Sequence, residues 1–278
     1  MDSTALPSSA YWTATPLLSA SCRNPSRLHV YTQNTFGLPF TYREERFRAL
    51  ADLIERLAPD VVFLQEVLFA GDESFFKIDG YHTACVPNGL LNRGGLLTLS
   101  RVPLTRVRFR PFQAQGAWNS LQLSDRFLRK GWLQAEAPEW GITLVNTHLV
   151  STYHESRRFV YDGEQLAQLE QVLRAVSRLG PSVLAGDFNF TEGTPFHRMA
   201  EGRMEDVARG LHPWPIDHLQ PKLDHVFVRN LVWHESRARR VVPGWLGGAW
   251  GGRSLSDHAG ISVELDLNWE ELPWPATA

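Results

Sequence analysis

The chain has 278 residues, 43% of them hydrophobic, with 10 Trp and 15 Phe, ample for a substantial core. Lys and Arg number 28 against 30 Asp and Glu, a net charge of −2, which argues against a protein held to nucleic acid or acidic lipid by a global field. The two cysteines, Cys22 and Cys85, make neither a disulfide framework nor a CxxC metal site, and no apolar run approaches the roughly 18 residues that span a bilayer.

Residues 1–26 read as a flexible leader. The stretch "MDSTALPSSAYWTATPLLSASC" has the small-residue flavour of an export signal, but it carries Asp2 in place of a basic start and Pro16 interrupts its apolar part. A cytoplasmic protein is therefore expected, with secretion as the alternative.

From residue 27 short apolar runs alternate with two helices. "RLHVYTQN" reads as a strand. "YREERFRALADLIERLAP" reads as a helix with Phe47, Leu50, Leu53, Ile54 and Leu57 on one stripe, stopped by Pro59. "DVVFLQEV" is a buried strand, and "GGLLTLSR", "TRVRFRPF", "GWLQAEA" and "GITLVNTHL" follow as further strands separated by turn residues. The arginines of "TRVRFR" alternate with Val107 and Phe109 as on a half-exposed strand. A second helix, "DGEQLAQLEQVLRAVSRLG", places Leu166, Leu169, Val172, Leu173 and Val176 on one face. Then come "SVLAGDFN", a short helix near 196–205, "LDHVFVRN", "SRARRVVP" and "SDHAGISVELDL". No repeat or linker interrupts this run, so residues 27–278 are expected to form one domain, α/β (α+β), built on mixed sheets.

The ends of these strands carry a short set of polar side chains: Asn34, Glu66, Asn146, His148, Asp187, Asn189, Asp224, Asp257 and His258. Taken singly, an Asn or Asp after a strand makes a turn. Taken together, four carboxylates cannot converge without repulsion unless a cation relieves it. Oxygen donors suit Mg²⁺ or Mn²⁺, and Glu66 with Asn34 or Asp257 makes a reasonable site for one. Asp257 and His258, as neighbours on an extended chain, point opposite ways and do different jobs. A histidine held by a carboxylate, for which Asp224 is the candidate, is an oriented base with water as its nucleophile.

Seven ordered motifs, "TQNTFG", "LQEV", "GGLLTLSR", "NTHL", "GDFN", "LDHVFV" and "SDH", resemble those of the endonuclease/exonuclease/phosphatase superfamily of Mg²⁺-dependent phosphoesterases, over nearly all of residues 28–267. The resemblance implies a four-layer sandwich of two packed mixed β-sheets flanked by helices, with the site at one end. It implies that Glu66 is the principal metal ligand, helped by Asn34 and Asp257. His258 would be the general base or a phosphate contact, oriented by Asp224. Asp187 and Asn189 would position water and phosphate or hold a second cation, and His148 would contact the phosphate or assist the leaving group.

Departures from pattern narrow the branch. Abasic-site endonucleases of the superfamily carry an acid where this chain has Phe36, and "KLDHVFV" stands where inositol polyphosphate phosphatases carry a Trp-x-Asp-Arg signature. "QNTFGLP" and "SDRFLRKGWLQAEA" are similar to neutral sphingomyelinase-like segments. The expected activity is hydrolysis of a phosphodiester, in a lipid headgroup or another small molecule, with a DNA or RNA nuclease as the alternative and a phosphomonoesterase or non-catalytic module behind it. The protein is expected to be a monomer that touches membrane surfaces transiently. Lys130 reads as an exposed strand-edge lysine or a phosphate contact, and "GWLGGAWGGRS" (244–254) as a structural loop or a mobile lip beside the site.

Overall fold

A computed structural model describes residues 26–39, 42–116, 128–151, 162–211, 220–241 and 255–268. The leader, the glycine- and tryptophan-rich stretch 244–254 and the tail beyond 268 lie outside the described residues. In chain order the elements are β1 (Arg27–Asn34), α1 (Arg43–Leu57), β2 (Val61–Gln65), β3 (His82–Ala84), β4 (Pro87–Asn88), β5 (Leu91–Asn92), β6 (Leu97–Ser100), β7 (Thr105–Pro111), β8 (Gly131–Ala137), β9 (Ile142–His148), α2 (Asp162–Val176), β10 (Ser182–Asp187), α3 (Pro195–Glu201), β11 (Glu205–Asp206), β12 (Asp224–Arg229), β13 (Trp233–Val241) and β14 (Gly260–Leu267).

Two six-stranded sheets result, ordered β13-β14-β1-β2-β6-β3 and β11-β12-β10-β9-β8-β7. Alternation along each strand sorts the side chains between layers. Val61 and Phe63 of β2 point between the sheets, against Leu144, Val183, Ala185 and Val226, while Val62 and Leu64 point outward to Phe47, Leu50 and Ile54 of α1. On the other side Val145, Leu184 and Phe227 meet Leu169, Val172, Leu173 and Val176 of α2 and Ala200 of α3. The order is helix, sheet, sheet, helices, a four-layer α/β sandwich as the motifs implied. Among the described residues no helix is long and apolar enough to cross a membrane.

The two sheets share a plan that no sequence repeat announces. β1 and β2 are parallel and joined through α1, and β9 and β10 are parallel and joined through α2. Antiparallel strands flank each pair: β14 and β6 in one sheet, β12 and β8 in the other. The carboxyl ends of both parallel pairs are where the polar side chains gather.

Several elements differ from expectation for physical reasons. The short helix spans only Pro195–Glu201, with Glu205–Asp206 turning into the edge strand β11. On β7 Arg106, Val107, Arg108 and Arg110 are all exposed, because β7 is an edge strand whose register shifts after Thr105. On α2 Leu166 is only half-buried, and Gln165 and Gln168 occupy the buried face instead.

One glycine is required by close approach. Gly186, at φ 146°, lies opposite Thr147, and a Cβ there would sit 1.9 Å from the Thr147 carbonyl oxygen. Gly186→Ala is expected to cost about 3 kcal/mol or more, through overpacking and an unfavourable backbone angle. A denaturant midpoint equal to that of the parent would overturn this.

Candidate active site

β1 ends in Asn34 and β9 in His148. β10 ends in Asp187, Asp224 begins β12, Glu66 follows β2, and Asp257 and His258 precede β14. Parallel pairing aligns the carboxyl ends of β1 with β2 and of β9 with β10, and antiparallel β12 and β14 start at those same ends. The turns that follow are tight: Phe36, Glu66 and Asn189 all adopt the left-handed region, at φ 50°, 60° and 54°. Such non-glycine residues are costly and concentrate at functional sites.

The Asn34 amide joins the two sheets. Its Nδ2 donates to Glu66 Oε1 at 3.1 Å and to Asp187 Oδ2 at 2.9 Å, while its Oδ1 accepts the Phe36 N–H at 2.9 Å. Two carboxylates from different sheets thus sit within one amide's reach. Asp187 Oδ2 also lies 3.3 Å from His148 Nε2 and 3.8 Å from His258 Nε2, and Asp187 Oδ1 accepts the Asn189 N–H at 2.9 Å. Asn189 Nδ2 donates to the Leu149 carbonyl at 2.9 Å.

His258 is buried with Nδ1 at 2.7 Å from Asp224 Oδ2, the oriented histidine that the sequence suggested. Burial opposes a charged ring there, but Asp224, Asp187 and Asp257 outweigh it and push the imidazole up to about 10. His148 goes the other way: burial, with the charges of Lys130 and His258, lowers it well below the ordinary range. Two histidines within reach of one carboxylate oxygen are thus pushed in opposite directions by their surroundings. Burial also raises the carboxyls of Glu66 and Asp187, opposed at Glu66 chiefly by Lys130 and at Asp187 chiefly by His258.

Sequence reasoning favoured an exposed Lys130, and the structure corrects this. The side chain is buried, its Nζ donates to the Leu149 carbonyl at 3.1 Å, and its charge acts on Glu66, Asp187 and His148. Asn146, grouped with the strand-end residues, is instead a buried tie between sheets. Its Nδ2 donates to the Leu64 and Leu97 carbonyls, both at 3.0 Å, and its Oδ1 accepts from Gln65 Nε2 at 2.8 Å. Asn146→Leu would strand those groups, and a loss of about 3 kcal/mol is expected in denaturant unfolding. A loss under about 1 kcal/mol would mean that water replaces the amide.

Three supporting residues were missed. Arg46 of α1 donates through Nη1 to the carbonyls of Thr35 and Leu255, each at 2.8 Å, and through Nη2 to Phe36, clasping the turns that carry Asn34 and Asp257. Gln165 of α2 donates to the carbonyls of Val150, Phe188 and Asn189, fixing the chain beyond His148 and Asp187. Ser256 Oγ donates to the Asn34 carbonyl at 2.6 Å and accepts the His258 N–H at 3.1 Å. Arg46 and Gln165 share one signal: a long polar residue on the buried stripe of an amphipathic helix, four positions before Leu50 and Leu169.

Glu66 and Asp257, both half-buried and offering oxygen, suit a hard divalent cation. Residues 31–258 match the model of the Endonuclease/Exonuclease/phosphatase family. The chain is 26% identical over 220 residues to an inositol phosphosphingolipids phospholipase C of Schizosaccharomyces pombe, covering 71% of this chain and 50% of that protein. It therefore spans about half the length of that curated relative. Its fold is similar to that of SmcL, with a TM-score of 0.68 at 18% identity over 87% of this chain and 99% of that one. It is also similar to D. rerio TDP2 solved with a single-strand DNA product, with a TM-score of 0.63 at 20% identity over 86% and 99%.

Proposed function

Because the chain belongs to the endonuclease/exonuclease/phosphatase family, we propose that it is a divalent-cation-dependent phosphodiester hydrolase acting on a lipid headgroup, sphingomyelinase-like in substrate class. The observation that carries the chemistry is the convergence of Glu66 and Asp187 on the Asn34 amide, with the Asp224-held His258 beside Asp187. The phosphosphingolipid relative favours the substrate class.

Glu66 and Asp257 would hold the cation, Mg²⁺ or Mn²⁺ by the oxygen character of the donors. Asn34 holds Glu66 and Asp187 in register, and joins the ligands itself if its amide turns its oxygen inward. When bound, the cation supplies positive charge beside the phosphate and at the departing oxygen.

The chain's own residues do the rest. His258, fixed through Nδ1 on Asp224, presents Nε2 toward the Asp187 carboxylate and takes the proton of the attacking water. In the cation-free protein Asp187 helps hold a proton on that ring. A cation held by Glu66 and Asp257 would offset the Asp257 charge that also raises the ring, and so would lower the proton affinity of His258 toward the range a general base needs. Asp187 and Asn189 position the water, neutral His148 faces the phosphate, and Lys130 adds a buried positive charge. The protein works as a monomer that meets its substrate transiently at a lipid surface.

A second reading, a nuclease, is favoured by the likeness to the structure holding a single-strand DNA product. The deciding experiment compares Mg²⁺-dependent release of phosphocholine from sphingomyelin micelles with release of nucleotides from single-stranded DNA. Lipid turnover abolished by chelator and by Glu66→Ala supports the proposal. Turnover of DNA alone, falling steeply with salt, transfers it to the nuclease. Turnover of neither by folded, Mg²⁺-supplied protein overturns the lipid assignment and gives the nuclease no support.

A further inference from the structure

A second group of ligating side chains lies on the outer face of the β10–β12 sheet, under α3. His225 follows Asp224 on β12 and so points to the opposite face of the sheet. Asp206 on β11 pairs with Phe227, two residues on from His225, and α3 brings His197 down onto them. All three are buried or nearly so: the side chains of His225 and Asp206 are 0% exposed and that of His197 is 2% exposed. One oxygen, Asp206 Oδ2, lies 2.9 Å from His197 Nε2 and 3.2 Å from His225 Nδ1.

What makes this more than a cluster is what holds the far side of each ring. His225 Nε2 lies 2.9 Å from the carbonyl oxygen of Phe190, and His197 Nδ1 lies 3.3 Å from Glu201 Oε2. The Phe190 carbonyl can only accept, which puts a hydrogen on His225 Nε2, and the Glu201 carboxylate favours the same at His197 Nδ1. In a neutral ring the near nitrogen then points its lone pair at the Asp206 oxygen. In that tautomer three electron-pair donors converge, and a positive charge among them would relieve their repulsion. A carbonyl or carboxylate behind each imidazole is also the arrangement that orients metal-ligating histidines.

Two protons or one dication would supply the same charge. Two protons create two imidazolium rings with centroids 5.2 Å apart, against the rings of Phe188, Phe190 and Phe227, and each charge must be stripped of water. One dication leaves both rings neutral. With bonds of about 2.05 Å, the spacings of 2.9 and 3.2 Å across the shared oxygen correspond to angles of about 90° and 100° at the ion, so His225 already stands near a tetrahedral position and His197 would reach one by moving out about 0.4 Å. Lys222 Nζ stands 3.8 Å from that oxygen and is already engaged by Glu192 and by the Ala208 carbonyl at 2.8 Å. Its charge moderates the affinity, and a water would complete a four-coordinate ion.

The geometry points to a structural zinc-class site formed by His197, Asp206 and His225. Its nitrogen-rich donor set favours a borderline transition ion over the hard cation suited to Glu66. The site pins Phe190, on the turn that carries Asn189, to the strand that begins at Asp224. It would therefore brace the catalytic turns from behind without touching substrate, and it stands whatever the substrate proves to be.

The test begins with the chelator-stripped full chain titrated with Co²⁺, followed by Zn²⁺. One equivalent of Co²⁺ giving the visible bands of a four-coordinate ion, displaced by Zn²⁺, is expected. The signal should persist in Glu66→Gln and vanish in His197→Gln. Zn²⁺ at a hundredfold excess over its Kd should raise the melting temperature of the parent by about 5–10 °C. Should His197→Gln not fold, anomalous scattering at the zinc edge from parent crystals locates the ion directly. A peak among the three side chains supports the assignment. No peak, a peak only near Glu66, or bands lost in Glu66→Gln but kept in folded His197→Gln would overturn it and leave a proton-filled cluster.

Discussion

Glu66→Gln is expected to lower kcat by about 10³-fold while leaving the fold intact or slightly more stable. The amide oxygen of Gln can still accept from Asn34 Nδ2, so the 3.1 Å contact survives and only the charge is removed. Losing the main anionic ligand costs the several kcal/mol of transition-state charge stabilisation that a positioned cation supplies, and each 1.36 kcal/mol is about tenfold in rate. The stability change runs the other way because burial raises the Glu66 carboxyl, so its ionised form is a burden on the folded state that Lys130 and Asn34 only partly offset. The measurement pairs steady-state kinetics across Mg²⁺ concentrations with thermal melting in chelator. A variant that melts several degrees lower while retaining activity would show that Glu66 is a structural carboxylate.

His258→Ala is the second large effect, a loss of about 10²–10⁴ in kcat, the range of a positioned proton-transfer group. It also carries a signature in pH that a packing defect would not. In the cation-free protein the folded-state value of about 10 stands above the 6.5 of an unperturbed histidine. A raised value means that the folded state binds the proton more tightly than the unfolded one. The stabilisation is therefore complete below about pH 6.5 and is lost as pH rises toward 10. Urea midpoints measured in chelator should fall across that window for the parent and stay flatter for His258→Ala. Equal slopes would remove the Asp224–His258–Asp187 cluster as the holder of the proton.

Much of this arrangement was legible because strands advertise their ends. Apolar runs that end in Asn34 or Asp187, or open on Asp224, mark both a strand and one of its ends, and parallel strands of one sheet stop together. The pairing of a histidine with a strand-end carboxylate was legible too, and His258 meets Asp224 at 2.7 Å. What stayed hidden depends on which side chains face each other between layers. Nothing local distinguishes Asn146, inside the sandwich, from Asn34 at its rim, since each lies late in its strand and is followed by a threonine. Lys130 was misjudged for a related reason: a long cationic residue beside a strand is usually solvated, and only the surrounding carboxylates make its burial tolerable. Arg46 and Gln165 were hidden by the stripe rule itself, which reads polar residues as solvent-facing.

The shared plan of the two sheets has a mechanical consequence. Glu66 belongs to one sheet and Asp187 to the other, so their separation is not set by any loop or strand but by the thickness of the apolar layer between the sheets. Val61, Phe63, Val183 and Ala185 act as the spacers of a calliper whose tips are the two carboxylates, with Asn146 as its rivet. Trimming or enlarging a spacer would alter the gap at the tips even though the altered side chain lies in the interior. Catalytic rate in this protein would therefore be tunable from its core, by residues that never meet a substrate.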